Sequence, residues 1–192
     1  MADFPTVVLA GGESRRMGGG KPLRLLKGKP LIARGIDLAS SWSSNVAVAV
    51  RDPAQVGSVD APVLLDPDAI PGPLAGLASA LIWAAGLGRD RVLVIPCDTP
   101  RLPSDLADRL NDALGPGVGA TMPRSQGRLH PACCLWRTAM LDLLTTEAAA
   151  GRNSLRNLAE RANCVVVDWA DGADFTNVNT PHDLIAMESG SA

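Results

Sequence analysis

An excess of charge of either sign is missing from this sequence: 18 Lys and Arg stand against 20 Asp and Glu, a formal net charge of −2. That balance excludes a general attraction to nucleic acid or to an anionic membrane, so any anion binding must be local. No apolar stretch is long enough to span a bilayer. Asp3 precedes a short apolar run that stops at Gly11, which is too short and wrongly flanked for a signal peptide. The four cysteines, Cys97, Cys133, Cys134 and Cys164, contain no CxxC pair and sit in apolar runs. They lack the spacing of a zinc site or a redox motif and read as buried free thiols. Together these absences predict a cytoplasmic protein. No internal repeat, low-complexity tract or linker divides the chain, which predicts one domain over residues 1–188 and a frayed tail over 189–192.

Apolar residues make up 46% of the chain and charged residues 20%, a composition that folds around a core. Short apolar runs at Thr6 to Ala10, Asn45 to Val50, Val63 to Leu65 and Arg91 to Ile95 read as buried strands. Helical spacing follows Pro30 and covers Pro73 to Ala85. Further on, Pro103 to Leu114, Thr138 to Ala149 and Ser154 to Ala162 read as helices, while Val118 to Met122, Ala132 to Trp136 and Cys164 to Val167 read as strands. Pro181 to Glu188 closes the chain as a helix capped by Thr180. Strands alternating with helices predict a doubly wound α/β fold, a mainly parallel sheet with helices on both faces. Ligands of such sheets bind beyond the carboxyl ends of the strands.

At the end of the first strand, residues 7–22 read VVLAGGESRRMGGGKP, with five glycines and three cations. Two common phosphate-binding patterns are absent from it. A P-loop ending at Gly20-Lys21 would need Gly at position 15 and Ser or Thr at 22, where Arg15 and Pro22 stand. No register supplies G-x-G-x-x-G. Yet Gly11 and Gly12 let a ligand approach the main chain without meeting a Cβ. Arg16 offers a fork of donors and Lys21 a movable point charge. That equipment suits a polyphosphate; a solvated glycine turn with incidental cations is the alternative that composition leaves open.

The stretch Leu9-Ala10-Gly11-Gly12, Ser14-Arg15-Arg16-Met17-Gly18, Lys21 and Gly28-Lys29-Pro30-Leu31 resembles the nucleotide-binding signature of the molybdenum cofactor guanylyltransferases, the MobA-type enzymes. Later pieces resemble that family in its order: Pro71-Gly72-Pro73-Leu74-Ala75-Gly76, Pro96-Cys97-Asp98-Thr99-Pro100, His130-Pro131, and Phe175-Thr176-Asn177-Val178-Asn179-Thr180-Pro181. The resemblance implies a Rossmann-like nucleotidyltransferase fold. It also implies transfer of GMP from GTP to the terminal phosphate of molybdopterin or its molybdenum form, with release of pyrophosphate and help from Mg²⁺. By the same resemblance Leu9, Ala10, Gly11, Gly12 and Asp66 contact the nucleotide, and Arg16 and Lys21 meet its phosphates. Asp98 is implied as metal ligand and catalytic residue beside Arg16 and Lys21, with Asn179 as a second metal ligand. As residues alone, Asp98 and Asp66 read equally as turn aspartates beside Pro100 and Pro67. Gly72 and Gly76 read either as helix packing or as room for a nucleotide. His130 reads as a structural loop histidine or as a contact to the pterin, whose pocket is expected near His130 and the Arg152-Asn153-Ser154 turn. The partners implied are small molecules, with transient contacts to other cofactor-biosynthesis proteins or molybdoenzyme chaperones.

Two departures stand out. Gly20 precedes Lys21 where the family usually has an acidic residue. Ala49 or Val50 occupies the region where the family places a base-reading asparagine, which leaves backbone groups to read the base and keeps a cytidylyltransferase using CTP as an alternative. A non-catalytic nucleotide-binding module is the alternative of another class.

Overall fold

The computed structural model describes residues 4–12, 19–170 and 175–189. Its central sheet comprises β1 (Thr6–Leu9), β4 (Val46–Val50), β5 (Val63–Leu65), β6 (Arg91–Pro96), β7 (Ala120–Ser125), β8 (Arg128–Leu129), β9 (Leu135–Arg137) and β10 (Val165–Trp169). The strand order is β10-β7-β9-β6-β1-β4-β5, with β8 paired to β7. Two further strands, β2 (Leu25–Leu26) and β3 (Lys29–Pro30), form a separate hairpin just after the glycine loop.

Parallel pairing joins β1 to β4 and β6, β4 to β5, and β10 to β7. Strand β9 runs antiparallel to both β6 and β7. Its direction follows from the connection before it: β7 turns through Gln126-Gly127, both at positive φ, into the short β8. Such a two-residue turn reverses the chain without a crossover helix. The chain then enters β9 without an intervening helix.

Alternation along the buried strands sends side chains to two cores. On one face Val8, Val48, Val50, Leu93 and Ile95 pack with α1 (Leu31–Trp42) and α3 (Leu106–Asp112). On the other Val7, Ala47, Ala49, Val92 and Val94 pack with α2 (Pro73–Gly86), α4 (Leu141–Ala149) and α5 (Leu155–Arg161). The last helix, α6 (Pro181–Glu188), joins a small cluster of Leu26, Leu31, Val178 and Met187 against the β2–β3 hairpin. No helix among the described residues is long and apolar enough to cross a membrane.

Three expected boundaries move. The helix expected from Pro103 begins at Leu106, because tryptophan N–H groups draw off its first polar groups: Trp42 Nε1 donates to Ser104 O (2.9 Å) and Trp169 Nε1 to Asp105 Oδ1 (3.0 Å). The strand expected from Ala132 begins at Leu135, since residues 130–133 close a turn through Cys133 N and His130 O (2.9 Å). Thr138–Met140 form a 3₁₀ turn ahead of α4. Of the expected tail, residues 190–192 lie outside the described residues.

Candidate active site

Strands β1, β4, β5 and β6 end on one side of the sheet, and the residues just beyond them line a cavity of about 490 Å³. Its walls include Leu9, Gly11 and Gly12 after β1, Ala49 and Arg51 at β4, Asp66 after β5, and Gly72, Pro73 and Gly76 at the start of α2. Gly11 is required by close approach: a Cβ there would stand 2.6 Å from Asp66 Oδ2 and 3.2 Å from Arg51 N. A Cβ at Gly76 would come within 3.1 Å of Leu9 Cδ2, so small residues keep both the helix close and the cavity open. Gly72, at φ +69°, makes the turn into α2 that only glycine adopts readily. Ala10, whose N donates to Ala49 O (2.8 Å), extends the ladder to the cavity floor.

Asp66 is fixed by its backbone, N donating to Val50 O at 2.8 Å. Its Oδ1 is buried without a hydrogen-bond partner. Burial raises its carboxyl pKa above the ordinary value, and the nearby Arg51 charge opposes that shift without cancelling it. An ionised Asp66 therefore costs the ligand-free fold stability at neutral pH. The cost is relieved as pH falls through the raised pKa towards 3.8, where folded and unfolded chains both protonate. Asp66→Asn is accordingly expected to raise the thermal midpoint at pH 7, with the gain shrinking towards pH 4; a series of melts across that range measures it.

At the end of β6 a second set of groups converges. Lys21, almost fully buried behind Gly20, donates from Nζ to the Asp98 carboxylate and to Asn179 Oδ1 (2.9 Å). The Lys21 and Asp98 side chains are only 11% and 18% exposed, so water screens the pair weakly. Backbone ties hold the frame: Val178 N donates to Asp98 O (2.8 Å), and Thr99 Oγ1 donates to Asn177 Oδ1 (2.8 Å). Thr180 caps α6 as expected, in a reciprocal box with Asp183, whose carboxylate also accepts from Asn179 N at 2.7 Å. Those backbone donors hold the Asp183 pKa below its ordinary value. Cys97, beside Asp98, is driven the other way: burial pushes its thiol up to about 12, so it stays protonated and is no nucleophile.

A smaller cavity, about 240 Å³, is lined by Pro96, Asp98, Arg128, Leu129, His130, Pro131, Ala132, Cys133 and Asn177. Pro96 and Ala132 also line the larger one, so the two cavities adjoin, with Asp98 in the wall of the smaller. The His130 ring stacks on Phe175 at 4.4 Å between centroids, and its Nε2 is buried without a partner.

Of the residues expected at the site, Leu9, Gly11, Gly12 and Asp66 line one cavity, Asp98 lines the other, and Lys21 bonds to both Asp98 and Asn179. Arg16 lies outside the described residues. Arg152, placed near the pterin by the sequence reading, lines neither cavity; its guanidinium grips the buried Glu147 carboxylate with two 2.7 Å hydrogen bonds. Its neighbour Asn153 reaches the rim, 3.8 Å from where a Gly72 Cβ would stand. Arg51 and Arg128 were not singled out. Strand alternation was the available signal for Arg51, which shares a face with Ala49, whereas Val50 is fully buried on the opposite core.

A family model described as a MobA-like NTP transferase domain matches residues 6–165. The molybdenum cofactor guanylyltransferase of Cereibacter sphaeroides is 38% identical over 186 residues, which cover 95% of this chain and 94% of that protein. The same-named protein of Rhodopseudomonas palustris (strain BisB5) is 39% identical over 200 residues, covering 98% and 95%. Among solved structures, molybdopterin-guanine dinucleotide biosynthesis protein A from Archaeoglobus fulgidus matches with a TM-score of 0.80 at 24% identity, over 97% of this chain and 98% of that one. The 2-C-methyl-D-erythritol 4-phosphate cytidylyltransferase of Thermus thermophilus matches with a TM-score of 0.70 at 18% identity, over 96% and 97%. These two structures share the nucleotidyltransferase fold. With the family model spanning most of the chain and relatives at this identity aligned almost end to end, the chain belongs to the MobA-like NTP transferase family.

Proposed function

We propose that the protein transfers GMP from GTP to the terminal phosphate of molybdopterin or its molybdenum form, releasing pyrophosphate and leaving the guanine dinucleotide cofactor. The observation that carries this reading is the convergence of Lys21, Asp98 and Asn179, with Asp98 lining the smaller of two adjoining cavities. The names of the full-length relatives point to the same reaction.

In the reaction an oxygen of the acceptor phosphate bonds to the α-phosphorus as the bond from that phosphorus to the bridging oxygen of the β-phosphate breaks. Pyrophosphate leaves with the electron pair. Such a transfer asks the protein for in-line positioning and for compensation of phosphate charge. The larger cavity takes the nucleoside, Leu9 to Gly12 present their main chain to it, and Gly11 keeps the backbone free of a Cβ. Arg16 and Lys21 compensate the triphosphate, the Lys21 ammonium exchanging its present partners for phosphate oxygens.

Asp98 and Asn179 fit Mg²⁺: both direct hard oxygens at one point, and a cationic ammonium already sits between them. No group of three or more His, Cys, Asp or Glu residues suited to a metal occurs among the described residues. A single carboxylate with substrate phosphates is a usual Mg²⁺ arrangement. When bound, the ion neutralises charge on the phosphates.

Asp66 favours GTP over CTP. An ionised carboxylate only accepts hydrogen bonds, and the guanine edge offers two adjacent donors, N1–H and the N2 amino group. The four free thiols support a reducing, cytoplasmic setting. The reading is tested by pyrophosphate release with Mg²⁺ and molybdopterin, comparing GTP, CTP and ATP. Turnover with GTP alone is expected; preference for CTP would move the protein to cytidylyl transfer, and no turnover with any nucleotide would leave a binding module.

A further inference from the structure

The smaller cavity carries polar groups that donor binding does not use. Arg128 is exposed at the tip of the β7–β8 hairpin and lines this cavity, yet its side chain makes no hydrogen bond or ion pair with a described residue. Other arginines of this half of the chain hold carboxylates: Arg124 grips Asp168, Arg137 reaches Asp90 and Arg152 grips Glu147. Two residues on, His130 also lines this cavity, and its Nε2 is buried without a partner. The ring is not free to turn away. Phe175 stacks on it, His130 N donates to Pro123 O (3.0 Å), and His130 O accepts from Cys133 N (2.9 Å). A cation and an imidazole thus line the cavity that Asp98 also lines and that adjoins the larger one at Pro96 and Ala132.

We propose that Arg128 and His130 bind the attacking phosphate monoester of the acceptor. This inference rests on the nucleotidyl-transfer reading above. In-line displacement requires the acceptor to approach the α-phosphorus from the side opposite the leaving pyrophosphate. The cavity adjoining the donor's at Pro96 and Ala132 provides that approach. A phosphate monoester carries nearly two negative charges at neutral pH, and it must come up to a triphosphate of the same sign. Lys21 is committed to the donor side, so the acceptor needs a cation of its own. Arg128 supplies one with fork geometry for phosphate oxygens. His130, with its proton on Nε2, donates to the same phosphate. The nucleophile is already deprotonated, so His130 removes no proton and acts by binding alone.

The test varies molybdopterin and GTP separately, with Arg128→Ala, Arg128→Lys and His130→Gln beside the parent protein, and measures GTP binding by calorimetry without acceptor. Arg128→Ala is expected to raise the KM for molybdopterin by ~10-fold or more, as loss of a charged hydrogen bond does. The KM and Kd for GTP should stay within about twofold, Arg128→Lys should recover part of the loss, and His130→Gln should raise the acceptor KM less. Arg128 is exposed, so its removal leaves no cavity in the core, and a melt of each variant checks that. An unchanged acceptor KM in the variants, or a parallel loss of GTP affinity, would overturn the assignment. Absence of turnover in the parent protein would instead overturn the functional reading on which it rests.

Discussion

Asp98→Asn is expected to lower kcat for pyrophosphate release by ~10²–10³, the usual loss when one preorganised electrostatic group is removed from a transition state. The substitution keeps the shape of the side chain and its capacity to accept from Lys21, but removes the charge. Some stability must go with it, because Lys21 and Asp98 are largely shielded from water and the ammonium loses its counter-charge. That loss cannot account for the kinetic effect. A domain stable by ~5–15 kcal/mol that gives up ~1–3 kcal/mol remains almost wholly folded at 25 °C. The midpoint should therefore fall by only several degrees, at ~2–4 °C per kcal/mol for a chain of this size. A thermal melt beside steady-state kinetics separates the two readings of this aspartate. If Asp98 only orders the turn before Pro100, the midpoint drops and kcat per folded molecule holds. Lys21→Met supplies the companion measurement. It should match Asp98→Asn in lost kcat and raise the KM for GTP besides, since Lys21 is assigned to the phosphates themselves.

What could be read in the sequence divides according to the range of the interactions. Runs such as Val7 to Ala10 and Val92 to Ile95 announce buried parallel strands because both faces are covered, and the capping pair Thr180 and Asp183 is local enough to be read from spacing. The two-residue strands β2, β3 and β8 have no periodicity to detect, and β8 supplies two residues of the smaller cavity. The direction of β9 depends on the Gln126-Gly127 turn rather than on any feature of β9 itself. The meeting of Lys21 with Asp98, 77 residues away, and with Asn179, 158 away, was accessible through family resemblance and not through spacing. Arg128 and His130 gain meaning only when the fold brings them into one cavity with Asp98. Of the two positions where a base-reading asparagine is absent, Val50 belongs to the core behind the sheet and Ala49 lines the cavity. The polar groups on the cavity side are Arg51 and Asp66.

That arrangement predicts a change of base preference. Asp66→Asn is expected to lower kcat/KM for GTP by ~10²–10³, because hydrogen bonds to a charged partner are each worth ~1.5–3 kcal/mol and guanine offers two. The amide presents a donor where the carboxylate presented only acceptors, and that donor meets the N2 amino group of guanine head-on. Xanthine carries a carbonyl oxygen in place of that amino group. The variant should therefore use XTP better than GTP by ~10-fold or more, within the range measured for one well-made base contact. CTP and ATP should remain poor in both proteins, since cytosine and adenine each place a ring-nitrogen acceptor beside a single amino donor and would set a lone pair against the Asp66 carboxylate. Parallel pyrophosphate-release assays with GTP, XTP, CTP and ATP read the result directly. The expected gain in ligand-free stability at pH 7 means that a loss of GTP use cannot be assigned to unfolding. An equal decline with every nucleotide would instead make Asp66 a support for the loop at Gly11, which its 2.6 Å approach to that position would explain, and would return base selection to the main chain at the ends of β1 and β4.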